Sequence, residues 1–189
     1  SNQIKIAITA TPQKLTSQFS NILRKISEEF KDSIELIVHD ASGNTTVQNH
    51  LQIYLSQHLY SNVFVKPRLY YEEYLLSLKE CMFCLSPYPF GNHNGFLDCT
   101  LAGIIGPSFI TGTIPQNTER LYYEMCGLQK LITSNEEDYI KVISSLIDLG
   151  LGRIDSSMYL NPNIKKPSEI ISILTDCSQD YIEDILSCF

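Results

Sequence analysis

Apolar residues recur along this chain with two alternating periods. Residues 3–9 carry isoleucine at 4, 6 and 8, the period of two with which a strand meets a core. Leu15, Phe19, Ile22, Leu23, Ile26 and Phe30 then follow the spacing of a helix face. The alternation continues: a strand over 33–39, a helix over roughly 47–58, a strand over 62–66 closed by Pro67, a short helix over 70–79, and an apolar run, 81–85, read as a fourth strand. A glycine- and asparagine-rich turn leads to a helix over about 95–102. A fifth strand over 104–110 is interrupted by Gly106-Pro107, and a loop over 111–115 leads to a helix over 118–126. A short sixth strand at 131–132 precedes a helix over 135–149, with Ser134 or Asn135 as cap and Glu136 and Glu137 in its first turn. This order predicts an α/β fold with a parallel sheet of about six strands and helices on both faces. Such sheets bind ligands at the carboxyl ends of their strands, which directs attention to the turns after strands one, four and five.

The pattern changes after Gly150. Residues 152–167 read as loop and 168–186 as one or two closing helices. The expected organisation is therefore one domain over 3–150 and a C-terminal helical extension over 151–189 packed on it. Ser1-Asn2 reads as an expression scar.

Composition narrows the function. Of the 189 residues, 43% are hydrophobic and 19% charged, which fits a globular protein rather than a disordered one. The net charge of −7, with no block of lysines and arginines, argues against a nucleic-acid partner, because phosphate neutralisation needs clustered cations. A single bound nucleotide is compatible with it. No signal peptide or membrane-spanning apolar run is present, so a cytoplasmic protein without a membrane partner is expected. The six cysteines lie mostly in apolar runs and are expected to be reduced and buried. Cys81 and Cys84, placed on one strand three residues apart, are expected to diverge to opposite faces and belong to the core.

The most informative stretch is Ser86-Pro-Tyr-Pro-Phe-Gly-Asn-His-Asn-Gly-Phe-Leu-Asp98. It joins an apolar strand to a helix start, where free backbone N–H groups and the helix dipole favour an anion. Asn92, His93, Asn94 and Gly95 exceed what capping alone requires, although an N-cap asparagine before a helix is common. His93 fits a cap neighbour, a phosphate contact or a catalytic base. Asp98, one turn in, fits a sugar hydroxyl or simply a favourable helix-end charge. Lys14 opens the first helix on the same sheet edge, with Thr11 in the same turn; a lysine at a positive helix end suits a nearby anion, and a solvated lysine is the plainer alternative. His39, His50 and His58 read as structural or surface residues, and Tyr70, Tyr71 and Tyr74 as a face packed on the sheet, with base stacking as the alternative. The turn lacks Gly-x-Gly-x-x-Gly and follows the fourth strand, which counts against a dinucleotide oxidoreductase.

These residues resemble a known family. Pro87-Tyr-Pro-Phe-Gly-Asn-His-Asn-Gly-Phe-Leu-Asp98, with Leu101-Ala-Gly-Ile-Ile-Gly106 and Thr111-Gly112 after it, is similar to the C-terminal domain of bacterial cytoplasmic protein N-glycosyltransferases, the high-molecular-weight adhesin glycosyltransferases related to O-GlcNAc transferases. The family's stretch reads Pro-Phe-Pro-Phe-Gly-Asn-Thr-Asn-Gly, two apolar residues, then Asp. Thr11-Pro-Gln-Lys-Leu15, Tyr71-Glu-Glu-Tyr-Leu75 and Gly127-Leu128 match in the same register. The resemblance implies one Rossmann-like half of a GT-B glycosyltransferase, which transfers hexose from a UDP-hexose to asparagine of an acceptor protein. Carried over, Lys14 neutralises the diphosphate, Asn94 and Gly95 hold phosphate oxygens, Asp98 holds the ribose, and Thr11, Asn92 and His93 support the site. No metal cofactor is implied.

Two departures bear on turnover. His93 stands where the family has threonine. Residues 115–120 replace a His-Glu-His-containing segment and carry no histidine. The family's N-terminal half, which supplies acceptor binding, has no counterpart here, so an excised domain or a stand-alone relative is expected. The alternative to a UDP-hexose-binding glycosyltransferase half is a non-catalytic relative that serves as a binding or interaction module.

Overall fold

A computed structural model describes residues 3–154 apart from 113 and 126, and leaves the side chains of residues 93, 114, 115, 117 and 118 undescribed. The closing helices expected over 168–186, and all but the first residues of the expected extension, lie outside the described residues.

Strands and helices alternate: β1 (Ile4–Thr9), α1 (Ser17–Phe30), β2 (Ile34–His39), α2 (Thr45–His58), β3 (Asn62–Lys66), α3 (Tyr71–Lys79), β4 (Phe83–Leu85), α4 (His93–Ala102), β5 (Ser108–Phe109), α5 (Ile114–Met125), β6 (Ile132–Thr133) and α6 (Glu136–Gly150). The first four strands form a parallel sheet in the order β3-β2-β1-β4. Register aligns Thr9, His39 and Lys66 in one row at the carboxyl edge.

The sheet is covered on both faces. Ile6, Ile8, Leu36 and Val38 pack on one side against Phe19, Ile22, Leu23 and Ile26 of α1 and Tyr139, Ile143 and Ile147 of α6. Ala7, Ile37 and Cys84 pack on the other against Leu78 of α3 and Cys99 and Ala102 of α4. Each fully buried aliphatic side chain contributes about 1.5–3 kcal/mol. Local chemistry sets the helix starts. Thr16 Oγ1 accepts from Phe19 N at the start of α1, Asn44 Oδ1 from Thr46 N and Val47 N at α2, and Asn135 Oδ1 from Asp138 N at α6. Each such cap is worth about 1 kcal/mol.

Strand β3 is an edge, yet its backbone is not left open. Gln48 Nε2 donates to Val65 O, Gln52 Nε2 donates to Val63 O, and Gln52 Oε1 accepts from Val65 N at 2.7 Å. Helix α2 thereby occupies groups that would otherwise template another strand.

Strands β5 and β6 pair with each other and form a separate two-stranded sheet, so among the described residues the expected single sheet of about six strands is four strands plus two. The expected fifth strand over 104–110 shrinks to two residues for a local reason. Gly106 lies so close to β4 that a side chain there would overlap the Cys84 carbonyl. Pro107 has no N–H for a ladder. The Gly106 carbonyl is taken by the Tyr123 hydroxyl at 2.7 Å, not by a neighbouring strand.

Cys81, Cys84 and Cys99 are free and buried, as expected. Their divergence is not observed: Cys81 precedes β4 in a turn and shares one apolar cluster with Cys84 and Cys99. The turn from Leu78 O to Cys81 N redirects the side chain that a continuous strand would have sent to the other face. Burial pushes the Cys81 thiol up to about 12, which keeps it protonated at neutral pH.

Candidate functional site

Strand order places a topological switch between β1 and β4, and a cavity of about 520 Å³ opens there at the carboxyl edge of the sheet. Thr11, Lys14, Asn92, Asn94, Gly95 and Asp98 all line it. Residues spread from position 11 to position 98 are thus brought to one place. His93 contributes the first helical residue of α4; its side chain lies outside the described residues. The cavity is walled by the turns after β1, β2, β3 and β4. No described residue of the turn after β5, where sequence also pointed, lines it.

The turn between β4 and α4 is fastened along its length. Tyr139 OH donates to Ser86 O at 3.0 Å, Thr16 Oγ1 to Tyr88 O at 2.9 Å, Gln116 Nε2 to Pro89 O at 2.6 Å and Lys14 Nζ to Gly91 O at 3.3 Å. Gly91 N closes the turn on Pro87 O at 2.9 Å. The Tyr88 ring stacks on Phe109 with centroids 4.2 Å apart, and Phe109 on Tyr139 at 5.5 Å, each pair adding about 0.5–1.5 kcal/mol. A backbone held at so many points is preorganised for a ligand.

Asn92 has a role that differs from capping and from ligand contact. It occupies the N-cap position of α4, but its side chain does not cap. Its amide turns inward, and Nδ2 donates to Thr9 Oγ1. Asn92 is only 4% exposed. Its backbone N donates to Glu119 Oε2 at 2.9 Å, and Glu119 Oε1 accepts from Ser108 Oγ at 2.7 Å. With the amide turned away, the first turn of α4 keeps its dipole end and its uncapped N–H groups beside the cavity. Helix α4 starts two residues earlier than the sequence suggested, which puts Asn94 and Gly95 inside that first turn.

Gly95 is required by packing. A Cβ there would overlap the Asn92 amide and Thr9 Oγ1. Gly91 has a positive φ of 70°, and a side chain on it would run into Glu119 Oε2. Lys14 is half-buried at the end of a short 3-10 turn, Pro12–Lys14, which points its ammonium across the switch at Gly91. Thr11 is half-buried on the same wall. Asp98, one turn into α4, accepts from Tyr71 OH at 2.9 Å. That bond and burial raise the Tyr71 pKa, so the phenol stays a donor. A carboxylate has acceptor capacity beyond one such bond.

Arg68, Asp40 and His39 were not foreseen in the cavity, and the tyrosines of α3 were expected first as a face packed on the sheet, with base stacking as the alternative. Tyr70 and Tyr71 do not pack on the sheet; they are 84% and 54% exposed. The reason lies in α3, which leans on the sheet through Leu78 and Tyr74 and leaves its first turn outside. Tyr71, Tyr74, Arg68 and Asp40 line the cavity, as does His39. His39 is 6% exposed, packed edge-on against Tyr74 with centroids 5.2 Å apart. Burial, and secondarily the Lys66 ammonium, lower its pKa to about 4, so it is neutral at pH 7. His50 and His58 are exposed, as read from the sequence. Gln116 and Glu119, in the segment that departs from the resembled family, turn into the protein. Gln116 Oε1 accepts from Thr111 N at 2.9 Å, while Glu119 clasps Asn92 and Ser108. Both side chains are polar, so apolar periodicity gave no signal that this face of α5 is inward, and the helix starts four residues earlier than the sequence suggested.

Among the described residues, no group of three or more His, Cys, Asp and Glu side chains is placed to hold a metal ion. No described helix is long and apolar enough to cross a membrane.

Comparison with known proteins agrees with this architecture. No family model matches the chain. It is homologous to the UDP-glucose:protein N-β-glucosyltransferases of two strains of Actinobacillus pleuropneumoniae, serotypes 5b and 7, with 22% identity over 161 residues in each. That match covers 85% of this chain and 26% of each relative, so the chain spans about a quarter of their length. Among solved structures, a mutant O-GlcNAc transferase of Thermobaculum terrenum superposes with a TM-score of 0.70 at 14% identity, covering 94% of this chain and 36% of that one. The catalytic domain of the cholesterol-α-glucosyltransferase of Helicobacter pylori gives 0.56 at 15% identity, covering 92% of this chain and 99% of that one. The fold is that of a Rossmann-like unit of GT-B glycosyltransferases.

Proposed function

We propose that the chain is the donor-binding half of a glycosyltransferase, which takes a UDP-hexose into the switch-point cavity for transfer of the hexose to asparagine of an acceptor protein in the cytoplasm. The observation that carries this reading is the convergence of Lys14, the uncapped first turn of α4 and Asp98 on one cavity. Lys14 and the α4 amides meet the diphosphate, with Asn94 and Gly95 nearest its oxygens. Asp98, oriented by Tyr71, accepts from the ribose hydroxyls. Thr11 adds a hydroxyl on the Lys14 wall. Asn92 acts through Gly95 and Thr9 as a positioning residue, not as a contact. As UDP leaves, negative charge grows on its phosphates, and a fixed ammonium and fixed dipoles stabilise it without reorganising. Homology to proteins named for UDP-glucose and for protein N-glucosylation supports both the donor and the acceptor class.

Calorimetry tests it. UDP and UDP-glucose bind the 189-residue chain, Lys14→Ala and Asp98→Ala each weaken binding at least tenfold, about 1.4 kcal/mol, and affinity is equal in EDTA and in Mg²⁺. A folded chain with no UDP affinity refutes the reading. A second reading has its own support: Gln116 and Glu119 serve the scaffold, in the segment where the resembled family has histidines. On that reading the chain is a non-catalytic binding module. Glucose transfer to an Asn-x-Ser/Thr peptide, assayed with any companion acceptor domain, separates the two.

A further inference from the structure

The floor of the cavity holds a side chain that the grip on diphosphate and ribose does not use. His39 ends β2, in register with Thr9 on β1 and Lys66 on β3. It is nine-tenths buried and lines the cavity, and among the described residues neither Nδ1 nor Nε2 has a hydrogen-bond partner. The other buried polar residues lining the cavity are served: Thr9 and Asn92 by each other, and Asp40 by Ser42. Ser61 and Ser86 also keep unpartnered hydroxyls, but neither lines the cavity. A buried imidazole without partners costs stability that an apolar ring in the same place would not. A ligand entering the cavity supplies the missing partner.

Position decides which part of the ligand this is. Lys14 and the start of α4 stand over β1 and β4, at the switch. Asp98 stands a helical turn further along α4. His39 stands on β2, with residues 67–69 beyond it on the wall above β3. A nucleotide with its diphosphate at Lys14 and its ribose at Asp98 extends its base toward β2 and β3.

Resting on the donor-binding reading above, we propose that His39 is a specificity-determining contact, one of whose ring nitrogens hydrogen-bonds the nucleobase of the bound nucleoside diphosphate. A neutral imidazole offers one donor and one acceptor, and a nucleobase edge carries both kinds of partner. Tyr74, edge-on at 5.2 Å, fixes the plane of the ring, so the contact is directional.

Calorimetry on the 189-residue chain with UDP and with inorganic pyrophosphate tests this. His39→Phe keeps a ring against Tyr74 and removes both nitrogens. The expected result is UDP affinity reduced at least tenfold, pyrophosphate affinity unchanged, and a melting temperature equal to or above that of the wild type. Unchanged UDP affinity with a raised melting temperature overturns the proposal and makes His39 a core residue. Should the variant not fold, imidazole ¹⁵N shifts of the wild type decide: His39 nitrogens move on adding UDP and not pyrophosphate, and no movement with UDP bound overturns the contact. A wild type that binds neither probe overturns the donor-binding reading and this contact together. One that binds UDP with the ring unperturbed refutes the contact alone.

Discussion

Acidification from pH 7 to pH 5 should weaken the fold through one side chain. His39 is buried neutral, with its pKa lowered to about 4 by burial and then by Lys66, against an ordinary value of 6.5. Three elements face it. Lys66 comes from β3, Tyr74 from α3, and Asp40 follows in the chain, its carboxylate held by Ser42 N and Ser42 Oγ. Between pH 6.5 and pH 4 the unfolded chain carries a proton on this residue that the folded chain refuses. Stability from the neutral ring is therefore complete above pH 6.5 and falls as the pH drops through the window. The full span of about 2.5 units at 1.36 kcal/mol each is about 3 kcal/mol, and about 2 kcal/mol is lost by pH 5. That is a large share of a typical domain's total of about 5–15 kcal/mol. Urea denaturation of the wild type and of His39→Phe at half-unit steps from pH 7.5 to pH 5 measures it. The variant cannot titrate at this site, so the difference between the two curves isolates His39 from other groups. A difference that stays flat across the window would refute the reasoning.

Two further outcomes follow from the site's packing. Gly95→Ala drives a methyl into the Asn92 amide and Thr9, so we expect a loss of about 1–3 kcal/mol by differential scanning calorimetry together with loss of UDP binding; an unchanged melting temperature would show that the glycine answers to something other than packing. Tyr71→Phe removes one donor to Asp98 on an exposed ring, so stability should stay within about 0.5 kcal/mol while UDP affinity falls severalfold, about 1 kcal/mol, as read by titration.

Much of the fold was legible because the apolar periods are strong. The isoleucines of β1 and the Phe19–Ile22–Ile26 face of α1 define their elements without help. The strand–turn–helix at residues 86–98 was legible because glycine and asparagine cluster there, and with Lys14 it located the cavity. What failed depends on distance in sequence. The fifth strand was expected to run past its Gly106-Pro107 interruption because nothing nearby in sequence reveals that Gly106 is pressed on Cys84. Asn92 read as a cap because its competitor, Thr9, is 83 residues away. His39 is a lone histidine at a strand end, and its importance comes only from register with Thr9 and from an α3 ring above it. Tyr70 and Tyr71 share the helical spacing of Tyr74, and periodicity alone does not say where the helix lifts off the sheet.

The buried carboxylate of Glu119 makes the turn into something like a lock with interdependent tumblers. Gly91 is bare where Glu119 must enter, Asn92 and Ser108 are donors where it must end, and Gly95 is bare where the Asn92 amide must swing to reach Thr9. Each residue suits its place only while the others keep theirs. Drift among relatives should therefore move these positions in concert or not at all, and a library that varies them singly will return losses. Moved together onto another chain of this fold, they carry the cradle with them.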